Sequence, residues 1–417
     1  MKNKKVWRIA CLVMAVCMGI ICMSGCDSKD ISGAQEEKIN VTEKGNDESN
    51  MRFGSNGGLI TAGDGKIYYI MVSDKDYRKG DLMVMNEDGT QEEKICSFSN
   101  NERCLNYMDG YLYYVMADGD YDSVVKMKAD GSEKTVLFKE KPEEQKLLEY
   151  NSYSITQLVV LKNKIITKLT VSLSDDAYWY VFDCESQTNT MINNEVLDLN
   201  DGIDGVGFNL DIRNMIFEDE WLYYKKNYYN DDGRIERTEI RKTRYDGTED
   251  TILLEGNRLS LKGKIDNNII YSEPDYTIDN ENELKTTSVK YKIYDMDNQC
   301  EQIFYEEKND VDANREMTSM NIWRDKLYYV LTNTENNTLE SIHQVNILKK
   351  EDTLVYEFDE NCKIFTDPTI DRELGLAYQF VDGWLYTEGY GDANFENQVT
   401  YKIKLDGSVV EKVEPVV

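Results

Sequence analysis

The sequence predicts an all-β fold: a seven-bladed β-propeller with four antiparallel strands per blade, behind a signal peptide and a flexible tether. A six-residue motif recurs seven times along the chain, Asp-Gly pairs separate runs of β-forming residues, and no segment sustains a helical period. The motif is Asp64-Gly65-Lys66-Ile67-Tyr68-Tyr69, repeated as Asp109-Gly110-Tyr111-Leu112-Tyr113-Tyr114. It returns as Asp219-Glu220-Trp221-Leu222-Tyr223-Tyr224 and as Arg324-Asp325-Lys326-Leu327-Tyr328-Tyr329. Looser copies begin at Lys162, Asp266 and Asp382. The interval is roughly 50 residues, close to that of a four-stranded propeller blade.

Within each repeat the motif supplies a first tight turn and the strand after it. A second apolar run then leads to a second turn, as Leu82 to Met85 leads to Asp88-Gly89 and Ile240 to Thr243 to Asp246-Gly247. A third run, such as Thr135 to Phe138, closes the unit, and a short run before the first turn makes the fourth strand. Asp-Gly between β-formers is a strong hairpin signal, because Gly accepts positive φ without a steric penalty. Adjacent tyrosines on a strand point to opposite faces, and a blade is covered on both, so the Tyr-Tyr pairs predict packing on two neighbours.

These repeats resemble the tyrosine-rich, Asp-Gly-turn propeller repeats of lipoproteins from low-GC Gram-positive bacteria, a family without assigned function. They are more distantly similar to TolB-like and low-density-lipoprotein-receptor-type propellers. The resemblance covers about residues 57–417 and implies a fold, with no catalytic residues; the third repeat departs most, lacking both Tyr-Tyr and Asp-Gly.

Residues 1–25 have the order of a lipoprotein signal peptide. Lys2, Lys4 and Lys5 precede an apolar run from Ile9 to Met23, shorter than the roughly 20 residues of a membrane-spanning helix. Met23-Ser24-Gly25-Cys26 resembles a lipobox, with Met in place of the usual Leu, and makes Cys26 the lipidated residue. Residues 26–55 are polar and nearly free of aromatics, the composition of a disordered linker, and 56–417 form the propeller. The expected location is extracytoplasmic, on the outer face of the cell membrane.

Composition narrows the function. The chain of 417 residues has a formal net charge of −30, which excludes a nucleic-acid partner and leaves membrane contact to the lipid anchor alone. One histidine, His343, leaves no material for His-rich zinc sites, and no serine or cysteine nucleophile stands near it in a familiar motif. Of nine cysteines, Cys96, Cys104, Cys184, Cys300 and Cys362 follow Cys26, an odd set without repeated spacing; free buried thiols are expected, with a Cys96–Cys104 bridge, open by proximity, as the alternative. No cofactor is implied.

With strands named a to d outward from the axis, the a–b and c–d turns share one end of the blades and are short. The b–c and d–a connections share the other end and are long and individual, which makes that end the candidate binding face. Its acidic and aromatic loop residues include Tyr121, Asp122, Tyr228, Tyr229, Asp231, Asp275, Tyr276, Tyr390 and Asp392. Asp118, Asp120 and Asp122 alternate as a calcium loop requires, but loop position twelve is Ala129. The function expected is a non-catalytic binding or adaptor module of the cell envelope, with an envelope protein or glycan as partner. The alternative is a polysaccharide-active enzyme using paired carboxylates in the channel.

Overall fold

The computed structural model describes residues 58–72, 79–99, 102–118, 121–139, 153–171, 177–192, 215–218, 220–230, 234–278, 284–308, 315–323, 326–333, 335–358, 364, 378–381, 383–390 and 398–413. The signal peptide, Cys26 and the linker lie outside them. The described residues hold no helix and 28 strands in seven four-stranded antiparallel sheets, a seven-bladed propeller.

Blade 1 is β1 (Ile60–Gly63), β2 (Lys66–Val72), β3 (Gly80–Asn86) and β4 (Glu93–Phe98). Blade 2 is β5 (Arg103–Met108), β6 (Tyr111–Asp118), β7 (Tyr121–Lys128) and β8 (Thr135–Lys139). Blade 3 is β9 (Tyr153–Val160), β10 (Lys164–Val171), β11 (Ala177–Asp183) and β12 (Thr188–Met191). Blade 4 is β13 (Met215–Phe217), β14 (Leu222–Tyr229), β15 (Ile235–Thr243) and β16 (Thr251–Gly256). Blade 5 is β17 (Ser260–Ile265), β18 (Asn268–Ile278), β19 (Leu284–Asp295) and β20 (Cys300–Lys308). Blade 6 is β21 (Arg315–Trp323), β22 (Lys326–Asn333), β23 (Thr338–Asn346) and β24 (Glu351–Glu357). Blade 7 is β25 (Tyr378–Val381), β26 (Trp384–Tyr390), β27 (Gln398–Lys404) and β28 (Val410–Val413).

Each sheet keeps its strands in chain order, as hairpin turns dictate. First strands of neighbouring blades approach one another, β1 with β5 and β25 among them, so strand a lines the axis. Fourth strands form the rim, where Val136, Met191, Ile252, Ile303 and Leu354 are among the exposed apolar side chains. In blades 1, 2, 4, 5 and 6 the register of the fourth strand slips by one residue, a bulge that interrupts an otherwise open sheet edge.

The turns explain the motif. Asp64 and Gly65 have φ of 50° and 72°, both positive, as a two-residue hairpin turn of right-handed twist requires. In the second turns the aspartate accepts from the backbone two residues on: Thr90 N to Asp88 Oδ1 at 2.9 Å, Ser132 N to Asp130 Oδ1 at 2.9 Å, and Thr248 N to Asp246 Oδ1 at 2.9 Å. The unit is therefore Asp-Gly-Ser/Thr. Blade 3 closes by a different turn, without glycine: Asp183 Oδ1 accepts from Ser186 N, three residues on, at 2.8 Å, as Asp295 does from Asn298 N at 3.0 Å in blade 5.

The Tyr-Tyr pairs divide between neighbours throughout. The first tyrosine packs on the following blade: Tyr68 against Leu105 and Leu112, Tyr223 against Leu261 and Ile269, Tyr328 against Leu385 and Ile403. The second packs on the preceding blade: Tyr69 against Trp384 and Tyr386, Tyr224 against Trp179 and Val159. The core is thus a set of seams between blades and not one central cluster. Blade 7 meets blade 1 in the same way, by side chains, and among the described residues no strand is exchanged between them. There Trp384 Nε1 donates to Glu87 O at 2.8 Å, and Lys402 ion-pairs with Glu92 across the seam and with Glu411 at 3.0 Å. A Cβ on Gly89 would stand 3.0 Å from the Trp384 ring, so the turn glycine also makes room for it.

Cys96, Cys104 and Cys184 are free thiols, so Cys96 and Cys104 are not bridged; Cys362 lies outside the described residues. Burial pushes the Cys104 thiol up to about 12, far from reactive.

Candidate functional site

The strand phase fixes which connections share an end. The a–b and c–d turns are short at one end of every blade, whereas the opposite end carries 73–79, 140–152, 193–214 and 359–377, which fall largely outside the described residues. What the structure describes of this face is the strand ends beneath it, and these hold several of the residues singled out by sequence.

Tyr228 and Tyr229 end β14. The Tyr228 hydroxyl donates to Glu239 Oε2 at 2.9 Å, and the Arg237 guanidinium stands 4.1 Å from its ring centroid. Its ring face is therefore already taken, and Tyr229, 37% exposed, is the more open of the two. Beyond them Asn230 closes the hairpin, its backbone N donating to Arg234 O at 2.9 Å and its Oδ1 accepting from Arg234 N at 2.9 Å. Asp231, inside this tip, lies outside the described residues, as does Asp392. Tyr390 ends β26, and only its backbone is described.

Two placements differ from the sequence expectation. Asp275 and Tyr276 are strand residues of β18, because β18 and β19 run past the apolar part of the blade as a long hairpin. Asp275 accepts from Lys290 Nζ at 2.7 Å and Ser288 Oγ at 2.9 Å, which hold its carboxyl below the usual range, and Arg258 stands 5.0 Å from the Tyr276 ring. Asp122 is not on an open loop either. It is buried in β7, where its Oδ2 accepts from Arg103 and from Ile155 N at 2.6 Å, tying blade 2 to blade 3. Burial pushes the Asp122 carboxyl up, against the pull of Arg103. A carboxylate so engaged is not an open calcium ligand. Tyr121 pairs with Asp118 across the hairpin by backbone, and Asp120 lies outside the described residues. Among the described residues no cluster of His, Cys, Asp or Glu is arranged to hold a metal ion.

The polar chemistry that the blades do show is repetitive. The tyrosine at the sixth motif position, on strand b, donates to a carboxylate at the start of strand d: Tyr69 to Glu92, Tyr224 to Asp250 at 3.1 Å, Tyr271 to Glu301, and Tyr329 to Asp352 at 2.8 Å. Opposite these tyrosines on strand c stand Met83, Arg241, Lys292 and His343, and each carboxylate follows its strand-c residue by nine positions. Arg241 bonds Asp250 through Nε at 3.1 Å, and Lys292 bonds Glu301 at 3.1 Å. Where blade 1 has the neutral Met83, the missing cation comes from blade 7 as Lys402. The nine-residue interval was legible in the sequence, but its meaning depends on the cross-strand register.

That repeat decides the role of His343. Its Nε2 lies 3.0 Å from Ser341 Oγ and its Nδ1 3.4 Å from Asp352 Oδ1, the order of a hydrolytic triad. Yet Ser341 is buried, only 7% exposed, and the imidazole, stacked on Tyr329, occupies the position of Arg241 and Lys292 in the preceding blades. The arrangement is a structural tie in which histidine replaces the usual cation.

These ties carry a pH dependence. Burial works to raise Glu92, Glu301 and Asp352, but bonds from Lys402, Lys292, His343 and the tyrosines outweigh it and leave all three lowered. A carboxyl lowered by folding contributes stability above its ordinary value, 4.5 for Glu and 3.8 for Asp, and loses it as pH falls through the folded value. Asp122, shifted upward, works in the opposite sense. The expected net result is a urea midpoint that is level from pH 7 to 5 and falls steeply below about 4.5. A midpoint unchanged at pH 3.5 would count against the ties.

No family model matches the chain, and no curated protein does. Solved structures match in fold. The acylaminoacyl peptidase of Pyrococcus horikoshii shares 11% identity over 90% of this chain and 54% of its own, with a TM-score of 0.50. The β-propeller domain of the Trilobed protease from Pyrococcus furiosus shares 8% over 85% of this chain and 96% of its own, TM-score 0.47. TolB from Acinetobacter baumannii shares 10% over 84% and 64%, TM-score 0.37. The chain spans about half the length of the first solved structures it matches, puromycin hydrolase among them. At such identities the likeness speaks for the propeller and not for its chemistry.

Proposed function

We propose that this chain is a lipoprotein held on the outer face of the cell membrane through Cys26, its propeller a non-catalytic binding or adaptor module of the cell envelope. The observation that carries this reading is the contrast between the two ends of the blades. One end repeats the same short turns, while the other bears unlike connections above strand ends rich in tyrosine and charge. Rigid scaffolds place recognition on such variable connections. The ionisable groups named above are engaged in ties between strands and blades, which leaves them as framework. Glycoside hydrolysis by two carboxylates needs a facing pair separated by about 5 to 9 Å, and those named here face cations or tyrosines instead.

The lipid anchor is tested by Cys26→Ala, which should leave the precursor unprocessed or release the head into the medium. Several acyl chains buried at about 0.8 kcal/mol per methylene hold far more strongly than a single one. Unchanged retention on washed membranes would refute the anchor. The adaptor role is tested by cross-linking the lipidated chain in its own host and recovering the products. A protein or glycan cross-linked to connections such as 279–283 supports it; cross-links confined to the Asp-Gly turns would oppose it.

A further inference from the structure

Blade 2 breaks the tyrosine–carboxylate rule. Its second tyrosine is Tyr114, fully buried and opposite Val125 on strand c. Nine positions after Val125, where blades 1, 4, 5 and 6 have Glu92, Asp250, Glu301 and Asp352, the chain has Lys134. The Tyr114 hydroxyl has no hydrogen-bond partner among the described residues. Lys134 lies over the ring, its Nζ 5.5 Å from the centroid and 3.7 Å from Met116 Sδ, with no carboxylate partner among the described residues. A donor and a cation therefore stand together at the seam of blades 1 and 2, and the position that supplies the acceptor in those blades carries no carboxylate here.

We propose that this seam binds a carboxylate supplied by a ligand, held between the Tyr114 hydroxyl and the Lys134 ammonium. A buried unpaired hydroxyl is costly, and a bond to an ionised acceptor is about twice as strong as one between neutral groups. Access is from the rim, where Lys134 is exposed beside the partly exposed Cys96. Glu102, buried in the connection between the blades, bears on the hydroxyl electrostatically without bonding to it. Its charge disfavours a dianion, so the ligand class is a single carboxylate: a peptide C-terminus or acidic side chain, or a sugar acid. This site is separate from the loop-bearing face and does not depend on the role proposed for it.

The test uses the full chain in detergent with 13C-labelled tyrosine rings, the Tyr114 signal assigned through Tyr114→Phe. N-acetylalanine and glucuronate are titrated beside their uncharged counterparts, N-acetylalaninamide and glucose. A saturable shift of the Tyr114 signal with either carboxylate, and not with its counterpart, is expected, and whichever acts distinguishes peptide from sugar acid. Lys134→Glu restores the acid of the other blades, so it should weaken binding about tenfold or more and raise Tm. Lys134→Ala should weaken binding alike without that rise. Tyr114→Phe should leave Tm level or higher, whereas Tyr224→Phe, which removes a bonded hydroxyl, should lower it. No saturable shift with either carboxylate, equal shifts with the uncharged probes, or unaltered affinity in both Lys134 variants would overturn the proposal.

Discussion

Trp384→Ala should destabilise the propeller by about 3–5 kcal/mol, the range for deleting a large buried aromatic. The indole is fully buried where the last blade meets the first, packed with Ile60, Ile67 and Met85. It also donates to Glu87 O at 2.8 Å, so its loss leaves both a cavity and an unpaired carbonyl. Among the described residues no exchanged strand joins these two blades, and the seam is built of such side chains. Trp384→Phe should recover much of the packing but not the hydrogen bond. Urea unfolding followed by near-ultraviolet circular dichroism checks this, and a loss below 1 kcal/mol for the alanine variant would show that the seam does not limit stability.

Glu239→Ala is expected to cost about 3–5 kcal/mol, by a different route. Glu239 is 1% exposed and accepts from the Tyr228 hydroxyl at 2.9 Å, from Arg237 at 3.2 Å and from Arg241. Removing one partner from a buried charge network leaves the others uncompensated, which is worse than never having had the pair. Arg241 keeps Asp250, and Arg237 keeps Glu255 at 3.1 Å, so the lower end of the range is expected. Glu239→Gln retains an acceptor and should lose less. The same unfolding measurement separates the two variants; equal, small losses in both would mean that the network is not a support for the Tyr228 strand end.

The propeller was legible because its signals are local. A turn that needs positive φ selects Asp-Gly within two residues, and a strand covered on both sides selects adjacent large side chains. Blade 3 was harder because Asp183 closes its second turn without glycine. The candidate site was less legible because its determinants are distant in sequence. Asp122 looked like a loop carboxylate among alternating acids; Arg103 and the backbone of Ile155, on strands either side of it in sequence, make it a buried staple. Asp275 looked like loop because β18 and β19 are polar past the core, yet their hydrogen-bonded register continues. His343 looked solitary, and only its alignment with Arg241 and Lys292 gives it a role.

That every blade is a contiguous stretch of chain, from the first to the last, has a consequence for descent. Each repeat brings one half of two contact surfaces, its first tyrosine for the blade ahead and its second for the blade behind. A gene segment encoding one such unit can be copied or deleted in frame without splitting a sheet, and the new neighbours meet through the same pair of faces. Drift in one copy must then be answered in the adjacent copy, as Lys402 answers the neutral Met83. Natural variants of this chain should accordingly differ by whole blades more readily than by partial ones, with compensating changes gathered at the joins.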